Sequence, residues 1–228
     1  MGILFPNSID FALAYFAVLR AGAIAVIMDV RLKAPELRSI FLDAGIKALI
    51  GHQRFSEEVQ LATTSTELLQ FGFGSGSLIE DPLLAVSEGG PRVPDSSPEV
   101  SEADEALYLY TSGTTGKPKG VVLTYQNLDC FPRNMHEIFG HNEKTVAGLI
   151  LPMSHISGPI YLNEMVARGS RVVIFDQVKP SVILEGIERH RVTYLHAVPT
   201  IYQLLLSDPD IARYDTRSLG LEIGRAHV

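Results

Sequence analysis

A chain of 228 residues, 46% of them hydrophobic and 20% charged, with a mean hydropathy of +0.17, holds enough apolar material for one large domain or two small ones. A net charge of −7 and an isoelectric point near 5.5 argue against a nucleic-acid-binding surface, yet leave room for a local positive pocket around a small acidic metabolite. The single cysteine, Cys130, excludes an internal disulfide and a cysteine-based zinc site, and suits a reducing cytoplasm.

Met1 enters at what reads as a strand. Met1–Pro6 lacks the basic start and long apolar run of a signal peptide. Asn7 or Ser8 caps a predicted helix that runs to about Ala21, with Phe11, Ala14, Tyr15, Val18 and Leu19 on one face and Gly22 as its stop. The apolar run Phe11–Leu19 is too short to span a bilayer. Ala23–Met28 is a buried-strand candidate. Pro35 suits the first turn of a second helix, which runs to about Ala44 and closes at Gly45. Lys47–Ile50 is a further strand, and strand–helix–strand order implies a parallel α/β sheet. From Phe71 to about Asp104 the chain is rich in Gly, Pro, Ser and acids, as a surface connection would be.

Ala106–Tyr110 and Val121–Thr124 read as strands rich in branched and aromatic residues. After them come a helix over Tyr125–Phe139, a strand near Val146–Leu151 and a helix near Ile160–Ala167 that ends at Gly169. A strand at Arg171–Phe175, a helix at Pro180–His190 and a strand at Val192–Ala197 follow. Pro199 then opens a helix through Leu206, which Asp208-Pro209 breaks. No histidine pair has H-x₃-H spacing. His136 and His141, five apart, read as part of a solvated face, and no metal site is expected.

The segment between the two central strands carries the chemistry. Thr111-Ser-Gly-Thr-Thr-Gly-Lys117 packs four hydroxyls and an ammonium into seven positions, and Gly113 and Gly116 let the backbone approach a ligand closely. Backbone N–H groups, hydroxyls and a cation converging in one loop suit a polyanion such as the phosphates of a nucleotide. The loop is not that of the P-loop NTPases. There, Gly and four residues precede Gly-Lys-Ser/Thr, whereas Thr111 stands at the first Gly position and Pro118 follows Lys117. Its setting also reads strand–loop–strand rather than strand–loop–helix.

Leu109 to Val121 closely resembles the phosphate-binding signature of the adenylate-forming, or AMP-binding, enzymes, which include acyl-CoA synthetases and peptide-synthetase adenylation domains. Three further segments resemble the family in order: Pro6–Ala12 with Leu19–Ala23, Leu151–Gly158, and Val192–Thr200. The Thr114-Thr115 doublet is more similar to acyl-CoA synthetases. Two positions depart from the family pattern: Ser154 precedes His155 where an aromatic is common, and Met28–Leu32 replaces a Pro-containing turn.

The resemblance implies an α/β fold that is part of the large N-terminal domain of the adenylate-forming enzymes, truncated at both ends. On this expectation residues 1–221 are partial domain, and Glu222–Val228 is a non-native tail resembling translated sequencing adapter. It implies ATP-dependent carboxylate activation with pyrophosphate release, then thioester formation with coenzyme A, for a parent ligase. The fragment alone would be inactive. Alternatives are a carrier-protein-loading adenylation domain and a non-catalytic nucleotide-binding remnant. Thr111, Ser112, Gly113, Thr114, Thr115, Gly116 and Lys117 would hold ATP, with Mg2+ bridging phosphates, and Lys119 assists or is merely solvated. His155 would serve the acyl-transfer chemistry, whereas His196, in a strand interior, packs.

Overall fold

Ser8 begins the first helix by accepting the Phe11 N–H on its Oγ at 3.1 Å, and Gly22 ends it at φ +65°. This computed structural model describes residues 1–63, 69–74, 98–111 and 119–220. Ser112, Gly113, Thr114, Thr115, Gly116 and Lys117 lie outside the described residues, as does the tail from Leu221. The chain divides into two compact units, Met1–Leu128 and Asp129–Val228.

The first unit holds β1 (Gly2–Leu4), α1 (Ile9–Arg20), β2 (Ala25–Ile27), α2 (Ala34–Asp43), β3 (Ala48–His52) and a 3-10 turn at Gln53–Phe55. It continues with α3 (Ser56–Thr63), β4 (Leu69–Gly74), β5 (Glu105–Thr111), β6 (Lys119–Thr124) and the start of α4 (Tyr125–Phe139). Its six strands lie in the order β4-β3-β1-β2-β5-β6. The first five run parallel and β6 closes the edge antiparallel to β5. Leu4, Val26, Met28 and Leu49 from one sheet face form a core with Leu37, Ile40 and Phe41 of α2 and Val59 and Ala62 of α3. Burying each such large side chain contributes about 1.5–3 kcal/mol, which outweighs weak local preferences. α1 connects β1 to β2 and packs on both, with Phe11, Ala14, Tyr15 and Val18 buried as the helical spacing predicts.

One expectation fails here. Phe71–Gly74 was expected in the surface connection, but it belongs to β4, paired parallel with β3. Glycine disfavours a strand on its own. The exposed edge of β3 supplies a hydrogen-bonding template that overrides that preference. At the other end of the predicted connection, Ser101–Asp104 is a tight exposed turn, with the Asp104 carboxylate accepting the Ser101 N–H at 2.8 Å.

The second unit holds the end of α4, β7 (Val146–Leu149), α5 (Ser157–Ala167), β8 (Arg171–Ile174), α6 (Pro180–His190), β9 (Tyr194–His196), α7 (Pro199–Leu206) and a 3-10 turn at Ile211–Arg213. Its sheet is wholly parallel in the order β8-β7-β9. Val146, Ile150, Phe175, Ile183, Leu184, Ile187, Val192, Leu195 and Leu205 form the core between these strands, α6 and α7.

Candidate functional site: the loop-bearing edge and the His155 turn

In the first unit β5 lies between β2 and β6, in register through Val26↔Tyr108, Ile27↔Leu109, Tyr110↔Gly120 and Thr111↔Lys119. The two residues flanking segment 112–118 are thus direct cross-strand partners, about 5 Å apart at Cα. Thr111 stands at the carboxyl end of a strand that runs parallel to β2. β2 hands the chain on towards β3 on one side, whereas β5 hands it on to β6 on the other. Connections therefore diverge between β2 and β5. Open parallel sheets bind ligands in the crevice outside the carboxyl ends at such a point.

β5 is held firmly. Ala106, Leu107 and Leu109 are buried, while Tyr108 and Tyr110 pack against the core beneath α2. The Tyr110 hydroxyl donates to Asp43 Oδ2 at 2.6 Å, and burial, followed by that carboxylate, pushes its pKa well above the ordinary phenol value. The Tyr110 ring lies across Gly120, where a Cβ would come within 3.1 Å of Cζ. Gly120 thus serves the packing of the ring behind the loop. Lys119, the first residue of β6, is exposed.

At the same edge, the turn after β2 is built without proline. Asp29 Oδ1 accepts the Arg31 N–H at 2.8 Å and Nε–H at 2.9 Å, and Oδ2 accepts Nη2–H at 2.8 Å. That clasp, with Leu32 N–H donating to the Asp29 carbonyl at 3.1 Å, closes the turn where the family pattern has a Pro-containing one.

In the second unit His155 sits in the turn between β7 and α5 and is exposed. Its N–H donates to the Pro152 carbonyl at 3.0 Å and its carbonyl accepts the Gly158 N–H at 2.9 Å. Its Nδ1 lies 2.9 Å from Ser157 Oγ, which fixes the ring, and Nε2 bonds none of the described residues. Gly158 is required by contact: a Cβ there would stand 2.5 Å from Met153 Cα.

Behind the turn lies a buried polar cluster. His141, expected on a solvated face, is 3% exposed, and its Nδ1 meets Glu164 Oε1 of α5 at 2.6 Å. Its ring packs against nearby Phe139 and against Tyr194, with centroids 5.4 and 4.4 Å away, so much of its burial comes from Tyr194 and Glu164, which are distant in sequence. Glu164 is 1% exposed. Sequence reasoning missed it, although an acid in the otherwise largely apolar helix Ser157–Ala167 was the available signal. His196 packs, as expected. It stacks on Tyr161 with centroids 4.3 Å apart at 14°, and burial lowers its pKa. Burial likewise raises the pKa of Tyr161 far above the usual phenol range. Among the described residues no group of three His, Cys, Asp or Glu could hold a metal ion, and no helix is long and apolar enough to cross a membrane.

A family model described as AMP-binding enzyme matches residues 1–224. The chain is 30% identical over 216 residues to a feruloyl-CoA synthase from Amycolatopsis sp, covering 94% of this chain and 41% of that protein. It is 27% identical over 213 residues to an oxalate–CoA ligase from Arabidopsis thaliana, covering 90% of this chain and 41% of that protein. Among solved structures, a long-chain-fatty-acid-CoA ligase from Archaeoglobus fulgidus superposes with a TM-score of 0.78 at 28% identity, covering 90% of this chain and 40% of that one. The chain thus spans about two fifths of the length of these relatives.

Proposed function

Because the chain belongs to the AMP-binding enzyme family, we propose that it is the nucleotide-loop portion of an ATP-dependent acid–thiol ligase of the acyl-CoA synthetase kind. Residues 1–221 are on this reading part of a larger N-terminal catalytic domain. The observation that carries it is the Thr111↔Lys119 pairing, which closes a Ser/Thr/Gly/Lys segment at the carboxyl edge of a parallel sheet. The names of the relatives, CoA ligases and synthases, support coenzyme A over a carrier protein as the acceptor.

The chemistry follows from what the loop offers. A carboxylate is a poor acyl donor because oxide would have to leave. An oxygen of the acid attacks the α-phosphorus of ATP, the bond to the bridging oxygen breaks, and pyrophosphate departs. The thiol sulfur of coenzyme A then attacks the acyl carbon, its proton is lost, and AMP leaves. Charge develops on the departing phosphates in the first step, so preorganised donors and a cation aimed there stabilise it. Thr111, Ser112, Thr114 and Thr115 donate to phosphate oxygens, Gly113 and Gly116 allow close approach, and Lys117 places a point charge beside the β and γ groups. Magnesium would enter with the phosphates of ATP, which the hydroxyls and Lys117 of the loop would hold, and would supply neutralisation of their charge. His155, with Nδ1 engaged by Ser157, presents Nε2 to the acyl group.

The test is Lys117→Ala in the full-length protein that contains this segment, read as pyrophosphate release with a panel of carboxylic acids. Loss of one charge-assisted contact to a phosphoryl group is expected to slow adenylation by about 10²–10³-fold. Pyrophosphate release at the unsubstituted rate would remove Lys117 from the machinery.

A further inference from the structure

Four contacts in the second unit tie the His155 turn to one helix and that helix to the sheet. The turn is joined to the start of α5 by the Gly158 N–H to the His155 carbonyl and by the seating of Gly158 on the Met153 backbone. Further along α5, Tyr161 stacks on His196 of β9. One turn later, Glu164 binds His141, which precedes β7. We propose that His141 and Glu164 are a positioning pair, whose directional bond sets the tilt of α5 and through it the place of His155. The inference rests on the reading of His155 as a functional group.

The reasoning is one of leverage and cost. The Tyr161 stack is a sliding contact, and its hydroxyl is buried with no hydrogen-bond partner among the described residues, so it does not lock the helix angle. The Glu164–His141 bond is directional and dry, with exposures of 1% and 3%. Polar pairs so deeply buried contribute little net stability compared with well-packed apolar groups, so a role in fixing geometry is the better account of this one. Seven residues separate Ser157 from Glu164, about 10 Å along a helix that rises about 1.5 Å per residue. A tilt of about 6° at Glu164 therefore carries the turn by about 1 Å. Displacements of about that size can cost about 100-fold in rate where a reacting group must be aligned.

Among the described residues, titratable groups that face the pair include Tyr161 on the same helix and Tyr194 and His196 on β9.

Amide hydrogen exchange on the 228-residue chain tests the proposal without nucleotide or acid. The double variant His141→Phe/Glu164→Leu substitutes apolar groups for both partners and should fold. It is expected to exchange the Gly158 amide at least about tenfold faster, while Ala147 and Leu149 of β7 keep their protection. Glu164→Gln, isosteric and able to accept the same bond, should restore wild-type exchange at Gly158. Unchanged exchange at Gly158 in the double variant, or equal acceleration at Gly158 and in β7, overturns the proposal, since the pair would then be inert or merely structural. Should the double variant not fold, Glu164→Leu alone decides: faster exchange at Gly158 with β7 protection kept supports the positioning bond, and wild-type exchange at Gly158, or equal acceleration in β7, refutes it. The pyrophosphate assay on Lys117 is independent of this measurement, so either reading can fail without the other.

Discussion

Replacing Gly158 by alanine adds one methyl group at the tightest contact behind the candidate site. The new Cβ would stand 2.5 Å from Met153 Cα, 2.9 Å from its carbonyl oxygen and 3.0 Å from its carbonyl carbon. Favourable carbon contacts lie at about 3.5–4.0 Å, so about 1 Å must be found. The obstacle is backbone, and Met153 is fully buried, so no flexible side-chain end can swing away. Alanine is worth up to about 1 kcal/mol over glycine in a helix, and Gly158 lies within α5. Overpacking costs about 1–3 kcal/mol, more where the wall is rigid, so the clash wins. For a unit of this size each kcal/mol moves the midpoint by about 4–8 °C, and a fall of about 5–15 °C is expected. Thermal unfolding followed by circular dichroism measures it. An unchanged or raised midpoint would show that the turn yields freely, and would refute both the steric reasoning and the rigidity on which the placement of His155 depends.

His196 should impose a pH dependence on the second unit. Burial holds its folded pKa below the ordinary value of 6.5, so the unfolded chain takes up the proton more readily. Stability is therefore full above about pH 6.5 and declines on acidification from there to the folded pKa, at no more than about 1.4 kcal/mol per pH unit. His196→Phe keeps the stack on Tyr161 and should flatten the slope between pH 5 and 7 in urea titrations; an unaltered slope would mean another group carries it. Tyr110→Phe removes the hydroxyl bonded to Asp43 and should cost about 0.5–1.5 kcal/mol in denaturant unfolding, the usual net worth of one hydrogen bond. No loss there would mean water serves Asp43 equally well.

Much of the molecule was readable from local pattern. Ser8, Gly22, Pro35, Gly45, Gly169 and Pro180 punctuate helices whose limits follow capping and proline rules, and the structure places those helices at Ile9–Arg20, Ala34–Asp43, Ser157–Ala167 and Pro180–His190. The strand–loop–strand setting of the phosphate-binding segment also follows from composition alone, because branched and aromatic runs flank a glycine-rich turn. The side chains of Ser112–Lys117 remain a matter of sequence, lying outside the described residues. Their roles rest on the motif and on the closure of its two ends.

What the linear pattern withheld is long-range. β4 exists because β3 offers it an edge, although its glycines argue for a loop. His141 looked solvated beside His136, but the carboxylate that holds it stands 23 positions along the chain, and Tyr194 about 50. The glycines of the motif segments looked alike on the page. The fold separates Gly120, which makes room for a tyrosine ring, from Gly158, which lies against backbone. Periodicity and punctuation are properties of neighbouring residues, so the chain itself determined most of its helices and strands and the chemical character of its loop. Which polar groups are buried, and which of them meet, depends on contacts across the sheet, and those only the tertiary structure decided.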